Sequence, residues 1–485
     1  MSIGLHSTIP HDWASASGVT SLFVILAVAM GMIAGCTPTR PYRPDYTEVC
    51  PSTDPEHECP TSALQRYKSD KGADYLLGFI EFDDQGQLLD RKQMEAVIDT
   101  IKKETEQPDQ DYLNVVFVHG WHHNAAPSDD NVQLFRQVLQ QLAATEQIVR
   151  AKAGATPRKL IGVYIGWRGE SISTWGLQEA TFWDRKNTAH KVGHGDVTEV
   201  LNRLEGIRKK KNFRPSGPQG ESELVVVGHS FGGAVVYSAL SQILVERFVR
   251  PESRTDTSET VEGFGNLVVL INPAFEAQLY SSLSDLSTEQ ISYARSQLPV
   301  LIELTSEADT ATGFWFPLGR RFSTLFEKER IVERTNGSTN QKEEIHQKEL
   351  NLRTVGHFEP YRTHDLRPTP STAAPVTPVT PVKAVMVVAP DVRVQSFANV
   401  AEQWENDGPG KTIQFPGTVL TRTESSVGQN PYLIIRVDRA LIPSHDNFTD
   451  PRVIEFVTQM ILVSIQNHDY SIRKERRQKV RESAN

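Results

Sequence analysis

Cysteine is scarce: the 485 residues hold only Cys36, Cys50 and Cys59. None forms a C-x-x-C pair, which leaves zinc-ribbon and thioredoxin-like chemistry without ligands or a redox couple. Cys50 and Cys59 lie close together in a Pro-rich stretch, and an oxidising compartment favours a short disulfide loop between them. Excess basic charge is also missing. With 51 Lys+Arg against 60 Asp+Glu, the net charge is −9. Such a chain lacks the general means to neutralise a phosphate backbone, so nucleic acid is not an expected partner. The run Arg208, Lys209, Lys210, Lys211 and Arg214 reads as a solvated loop. No G-x-G-x-x-G occurs, so a dinucleotide loop is not expected. There is no internal repeat, and no cofactor is implied.

Long apolar runs are nearly absent, with one exception. Residues 19–35 (VTSLFVILAVAMGMIAG) carry no charge and lead directly into Cys36. An apolar core closing on small residues has the form of a secretory h-region with its cleavage site. Ile33-Ala34-Gly35-Cys36 resembles the lipobox of bacterial lipoproteins, whose cysteine is lipidated and becomes the mature N-terminus. By that resemblance Thr37, where an inner-membrane retention signal places an acidic residue, favours the outer membrane. Residues 1–18 depart from the pattern: they contain no Lys or Arg and include Asp12, whereas an n-region is positive. The alternative is an uncleaved single-span anchor, since about 17 apolar residues is the lower limit for crossing a bilayer. Both readings put the body beside a membrane and outside the cytoplasm. Residues 37–73, rich in Pro, Thr and acidic groups over most of their length, read as an extended tether.

The body begins at 74. Apolar stretches at 75–82 and 87–90 flank Asp83-Asp84-Gln85-Gly86, a hairpin-like turn. Short, continuously apolar runs follow at Leu113–His119, Leu160–Trp167, Leu224–Gly228, Leu267–Ile271 and Val300–Leu304, as strands buried on both faces require. Stretches with helical spacing separate most of them: 91–106, 131–152, 184–210 and 232–249. Alternation of this kind predicts α/β architecture, a mostly parallel sheet with helices on both faces. The pattern breaks over 311–425, expected as an insertion with a Pro/Thr-rich linker at 367–382. It resumes over 426–470 with strand Tyr432–Val437 and helix Pro451–Gln466, and ends in a basic tail at 471–485.

One motif carries chemistry. Gly228-His229-Ser230-Phe231-Gly232, followed by Gly233, sits where a strand ends and a helix begins. The pattern G-x-S-x-G is common, but between strand and helix it builds a sharp turn that lifts the serine hydroxyl above the sheet. The order of elements and this elbow resemble the α/β-hydrolase superfamily over roughly 74–310 and 430–466. The block VFVHGWHHNA with the N-terminal cysteine motif also resembles poorly characterised bacterial lipoprotein hydrolases.

The resemblance implies an acyl hydrolase with Ser230 as nucleophile, and backbone N–H groups of Trp121 and Phe231 as oxyanion donors. It also implies an acid and then a histidine downstream of the serine. Asp309, in the loop after Val300–Leu304, is the expected acid, with Glu276 and Glu307 as alternatives. His445, in Pro443-Ser444-His445-Asp446 between the last strand and the last helix, is the expected base, with His364 and His357 as alternatives. Phe314, Trp315 and Phe316 offer either an apolar pocket wall or core packing. The substrate expected is a small-molecule or lipid ester. Two other readings remain open at this level: a hydrolase-shaped binding or scaffold lipoprotein without turnover, and a metal hydrolase built on His119, His122 and His123. The second has no carboxylate at a familiar spacing, so no metal is expected.

Overall fold

The structure, a computed structural model, describes residues 40–69, 72–152, 154–167, 178–213, 220–249, 260–289, 292–324, 328–336, 339–369, 399–404 and 411–465. The expected signal segment with Cys36, most of the linker and the basic tail lie outside the described residues. No described helix is long and apolar enough to cross a membrane.

Twelve strands form one mixed, mostly parallel sheet. In chain order they are β1 (Cys50–Ser52), β2 (Leu64–Tyr67), β3 (Tyr75–Phe82), β4 (Tyr112–Val118), β5 (Lys159–Trp167), β6 (Glu223–His229), β7 (Leu267–Ile271) and β8 (Leu301–Ser306), then four later ones. A separate hairpin pairs β9 (Ile331–Thr335) with β10 (Lys342–His346). The large sheet is completed by β11 (His364–Pro368), β12 (Thr412–Phe415), β13 (Thr418–Arg422) and β14 (Tyr432–Val437). Its order is β1-β2-β3-β5-β4-β6-β7-β8-β14-β11-β13-β12. From β3 to β11 every neighbouring pair is parallel. The carboxyl ends of those strands therefore share one edge, where ligands of open α/β sheets bind.

The apolar runs alternate between two cores, which is why they show no polar face. In β4, Val116 and Val118 join one core while Val115 and Phe117 join the other. After a short α1 (Pro55–Glu58), the first core takes α2 (Arg91–Thr105), α5 (Asp196–Asn212), α6 (Phe231–Val249) and α7 (Ala277–Glu289). The second takes α3 (Asp130–Lys152) and the helix at 451–465. The helix expected over 184–210 is two: α4 (Gln178–His194) and α5, broken at Gly195. Asp196 N–H donates to Gly86 O (2.9 Å), so the turn after β3 is clasped by this break.

Two expectations change. The stretch read as a tether over 37–73 is, from Tyr42 to Tyr67, built into the body. β2 pairs with β3, β1 pairs with β2, and Cys50 and Cys59 are joined by a disulfide. Closing a loop of that size is worth about 2–3 kcal/mol. Arg43 is fully buried: its N–H donates to Glu81 Oε1 (2.9 Å), its Nε to Ala125 O (2.8 Å), and its guanidinium lies 4.2 Å over the Phe79 ring. Pro/Thr-rich composition suggests solvation, but it does not register a strand-edge carboxylate that accepts two backbone N–H groups. The second change concerns 311–425. It is more than an insertion, because β11 adds parallel to β14, and β13 and β12 extend that edge antiparallel.

Candidate active site

The apolar β6 ends at His229, and α6 begins two residues later at Phe231. Ser230 between them has φ 55°, a left-handed conformation that costs a non-glycine residue about 1–2 kcal/mol. Surrounding bonds hold it there: Ser230 N–H donates to Ile271 O (2.9 Å) and Ala274 N–H to Ser230 O (3.1 Å). The turn also demands small neighbours. A Cβ on Gly232 would stand 2.2 Å from Val118 O, and one on Gly120 would stand 2.8 Å from Ser230 Cβ. The end of β4 and the first turn of α6 are thereby pressed together beside the serine.

Three loops at the carboxyl edge converge there. Ser230 Oγ lies 2.6 Å from His445 Nε2, and His445 Nδ1 lies 2.8 Å from Asp309 Oδ2. Since His445 donates from Nδ1, its Nε2 presents a lone pair to the serine hydroxyl. Ser230 is 3% exposed and the His445 side chain 15%, so the pair is recessed. Burial pushes the Asp309 carboxyl up. The His445 imidazole, by charge and hydrogen bond, and two bonds from Thr312 outweigh that and hold it at about 2. Burial pulls His445 down, but the facing Asp309 carboxylate leaves it raised above its ordinary value. Each group of the pair thus favours the ionised form of the other.

Around this series lie groups that the sequence did not single out. Thr312 N–H donates to Asp309 Oδ1 (3.1 Å) and its hydroxyl to Asp309 Oδ2 (2.5 Å). Asn272 (φ 44°) directly follows β7 and donates from Nδ2 to His445 O (2.8 Å), while its Oδ1 accepts Ser306 N–H (3.0 Å). His229 Nε2 is 3.3 Å from the same His445 carbonyl, and its ring packs 4.2 Å from Phe448. Faint signals existed for two of them. Asp309-x-x-Thr312 has the spacing of a cap, and Asn272-Pro273 after an apolar run marks a turn that tolerates positive φ.

The alternatives lie elsewhere. Glu276 is paired with Lys186 (2.5 Å) and Arg320 (3.1 Å). Glu307 faces Arg367 at 4.0 Å. His364 is buried at the start of β11, bonded to Thr363 Oγ1 (2.9 Å), and burial drives it down to about 3. His357 stands one step behind the site, its Nε2 3.1 Å from Thr312 Oγ1. Phe316 is buried, whereas Phe314 and Trp315 are exposed, so those two are neither core nor an enclosed wall.

Trp121 stacks on His122 (3.9 Å between centroids) and tilts toward Phe231 (6.4 Å). His119 has both ring nitrogens engaged: Nδ1 with Gly120 O (2.9 Å), Nε2 accepting Trp167 N–H (2.9 Å). His123 Nδ1 meets Asp129 (3.1 Å). These bonds lock the β4 loop in place and leave little ligand capacity for a metal. Among the described residues, His229, His445 and Asp446 bring ligand atoms within 4.8 Å of one another. Both His445 nitrogens are committed, however, so a metal there has to displace Ser230 or Asp309.

No protein-family model matches this chain, and no curated protein or solved structure matches it either.

Proposed function

We propose that this protein is a serine hydrolase of α/β-hydrolase type that cleaves an ester-type acyl bond through an acyl-enzyme on Ser230. The observation that carries the reading is the continuous series from Ser230 Oγ through His445 to Asp309, at 2.6 and 2.8 Å, on a left-handed strand-to-helix turn.

A serine hydroxyl is a poor nucleophile until a base accepts its proton. His445 Nε2 takes that proton as Oγ bonds to the acyl carbon. Asp309 holds the Nδ1–H tautomer and stabilises the imidazolium that forms. The tetrahedral oxyanion is assigned to the backbone N–H groups of Trp121 and Phe231, and the contacts of Gly120 and Gly232 set those two segments beside Ser230. Two such donors contribute about 3–4 kcal/mol each to the transition state. His445 then gives its proton to the leaving alkoxide. In the second half-reaction it activates water, which attacks the acyl carbon and returns Ser230. No metal or cofactor takes part in this scheme.

We place the body in the cell envelope, lipid-anchored through Cys36. The apolar run ending at Cys36 and the Cys50–Cys59 disulfide, which oxidising compartments favour, support that placement.

Labelling with a fluorophosphonate probe tests the chemistry. The wild-type chain takes up one equivalent at Ser230 and Ser230→Ala takes up none. Equal labelling of both chains, or none of either, overturns the reading and favours a scaffold role.

A further inference from the structure

Exposed large apolar side chains are few among the described residues, and three of them cluster. Phe314 (58% exposed), Trp315 (55%) and Leu318 (36%) occupy the helical segment that begins two residues after Asp309. The Phe314 and Trp315 rings pack against each other edge to face, 5.2 Å apart. They hold each other outward rather than folding under. Arg321, also exposed, follows within a turn. Because Asp309 lies in the loop after β8, this cluster stands on the carboxyl edge of the sheet, the edge that carries Ser230 and His445.

The chain enters the body on that same edge. Tyr42 and Arg43 donate their backbone N–H groups to Glu81, the seventh of the eight residues of β3, and Arg43 reaches Ala125 in the loop after β4. Tyr42 itself is 49% exposed. It stands six positions after Cys36, a reach of about 20 Å at full extension. Five strand spacings separate β3 from β8, about 24 Å across the edge. The chain therefore enters the body on the edge that displays Phe314 and Trp315, and covalent reach alone limits a lipid on Cys36 to about 20 Å from Tyr42.

We propose that this carboxyl edge is a bilayer-docking face, with Phe314, Trp315 and Leu318 inserted at the headgroup level, so that the Ser230 site receives acyl esters from a membrane. The proposal rests on the serine-hydrolase reading and the Cys36 anchor, and it names the substrate class: esters held in lipid. Aromatic rings at the interface beside a cationic side chain suit the boundary between headgroups and acyl chains. A single lipid chain binds only marginally, so a second contact is what makes docking stable.

The test uses the chain from Thr37 onward, which keeps every described element but lacks both the apolar run 19–35 and Cys36, so that neither anchor contributes, with vesicles of phosphatidylethanolamine and phosphatidylglycerol. Flotation is expected for this chain and is expected to fall about tenfold or more when Phe314→Ser and Trp315→Ser are added. Leu318→Gln serves as an independent, milder variant with a smaller fall in the same direction. Turnover of a short water-soluble ester reports folding and the catalytic series, and it should stay within about twofold in these variants. Turnover of an ester embedded in the vesicles should fall with binding. Flotation unaffected by all three substitutions, or no flotation of the parent chain, overturns the docking face. Normal flotation with no turnover of either ester overturns the hydrolase reading while docking survives.

Discussion

Replacing Asp309 by Asn probes the proposed catalytic series at its most informative point. The wild-type carboxylate accepts from His445 Nδ1, from the Thr312 hydroxyl and from Thr312 N–H. An amide keeps the shape but carries its own N–H group. Turned toward His445, that group makes Nδ1 an acceptor, moves the proton to Nε2 and leaves Ser230 facing a donor instead of a base. Loss of the correct tautomer costs about 10³–10⁴-fold in kcat, or roughly 4–5.5 kcal/mol of transition-state stabilisation.

A pH effect should accompany the loss. In the wild type His445 is raised above its ordinary value because Asp309 outweighs burial. Without the carboxylate, burial prevails and the residual acid limb of kcat/KM moves to lower pH. Stability responds as well. A carboxyl held at about 2 rather than 3.8 contributes stability above its unfolded value, lost as pH falls through the folded one. At neutral pH the substitution therefore costs on the order of 2 kcal/mol. The assay is a pH series of p-nitrophenyl ester hydrolysis, alongside urea unfolding. Turnover within about tenfold of wild type and an unmoved acid limb, in a folded variant, would refute the assigned role.

Two further outcomes follow from packing and burial. Gly120→Ala puts a methyl 2.8 Å from Ser230 Cβ and 2.9 Å from His229 Nδ1. It should lower kcat about 100-fold and stability by about 1–3 kcal/mol, and unchanged ester turnover would contradict this geometry. Glu303, buried in β8 with Oε2 unpaired, is pushed up to about 8, chiefly by burial. A raised carboxyl binds its proton more tightly in the fold, so stability declines as pH rises from the unfolded value of 4.5 toward 8. Glu303→Gln removes that decline and should gain roughly 3 kcal/mol at pH 7–8 relative to pH 4. Parallel pH profiles of urea stability in the two proteins would show that the acid is not held neutral.

The sequence by itself determined what depends on neighbours along the chain. β4, β5, β6, β7, β8 and β14 were legible because a strand buried on both faces must be apolar throughout. Ser230 was legible because strand, sharp turn and helix are contiguous. Asp309 and His445 were expected only through the resemblance, which implies an acid and then a histidine behind later strands, with Glu276, Glu307, His357 and His364 left in competition. Tertiary structure alone separated them. It gave Glu276 to Lys186 and Arg320, and buried His364 on a distant strand. It also set Thr312, Asn272 and His229 around the Asp309 carboxylate and the His445 carbonyl, and turned the stretch after Tyr42 into sheet. The physical reason is the same in each case. Apolar periodicity is a local property of the chain, whereas the partner of a buried polar group is fixed by which strands become neighbours, and Ser230 and His445 meet across 215 residues.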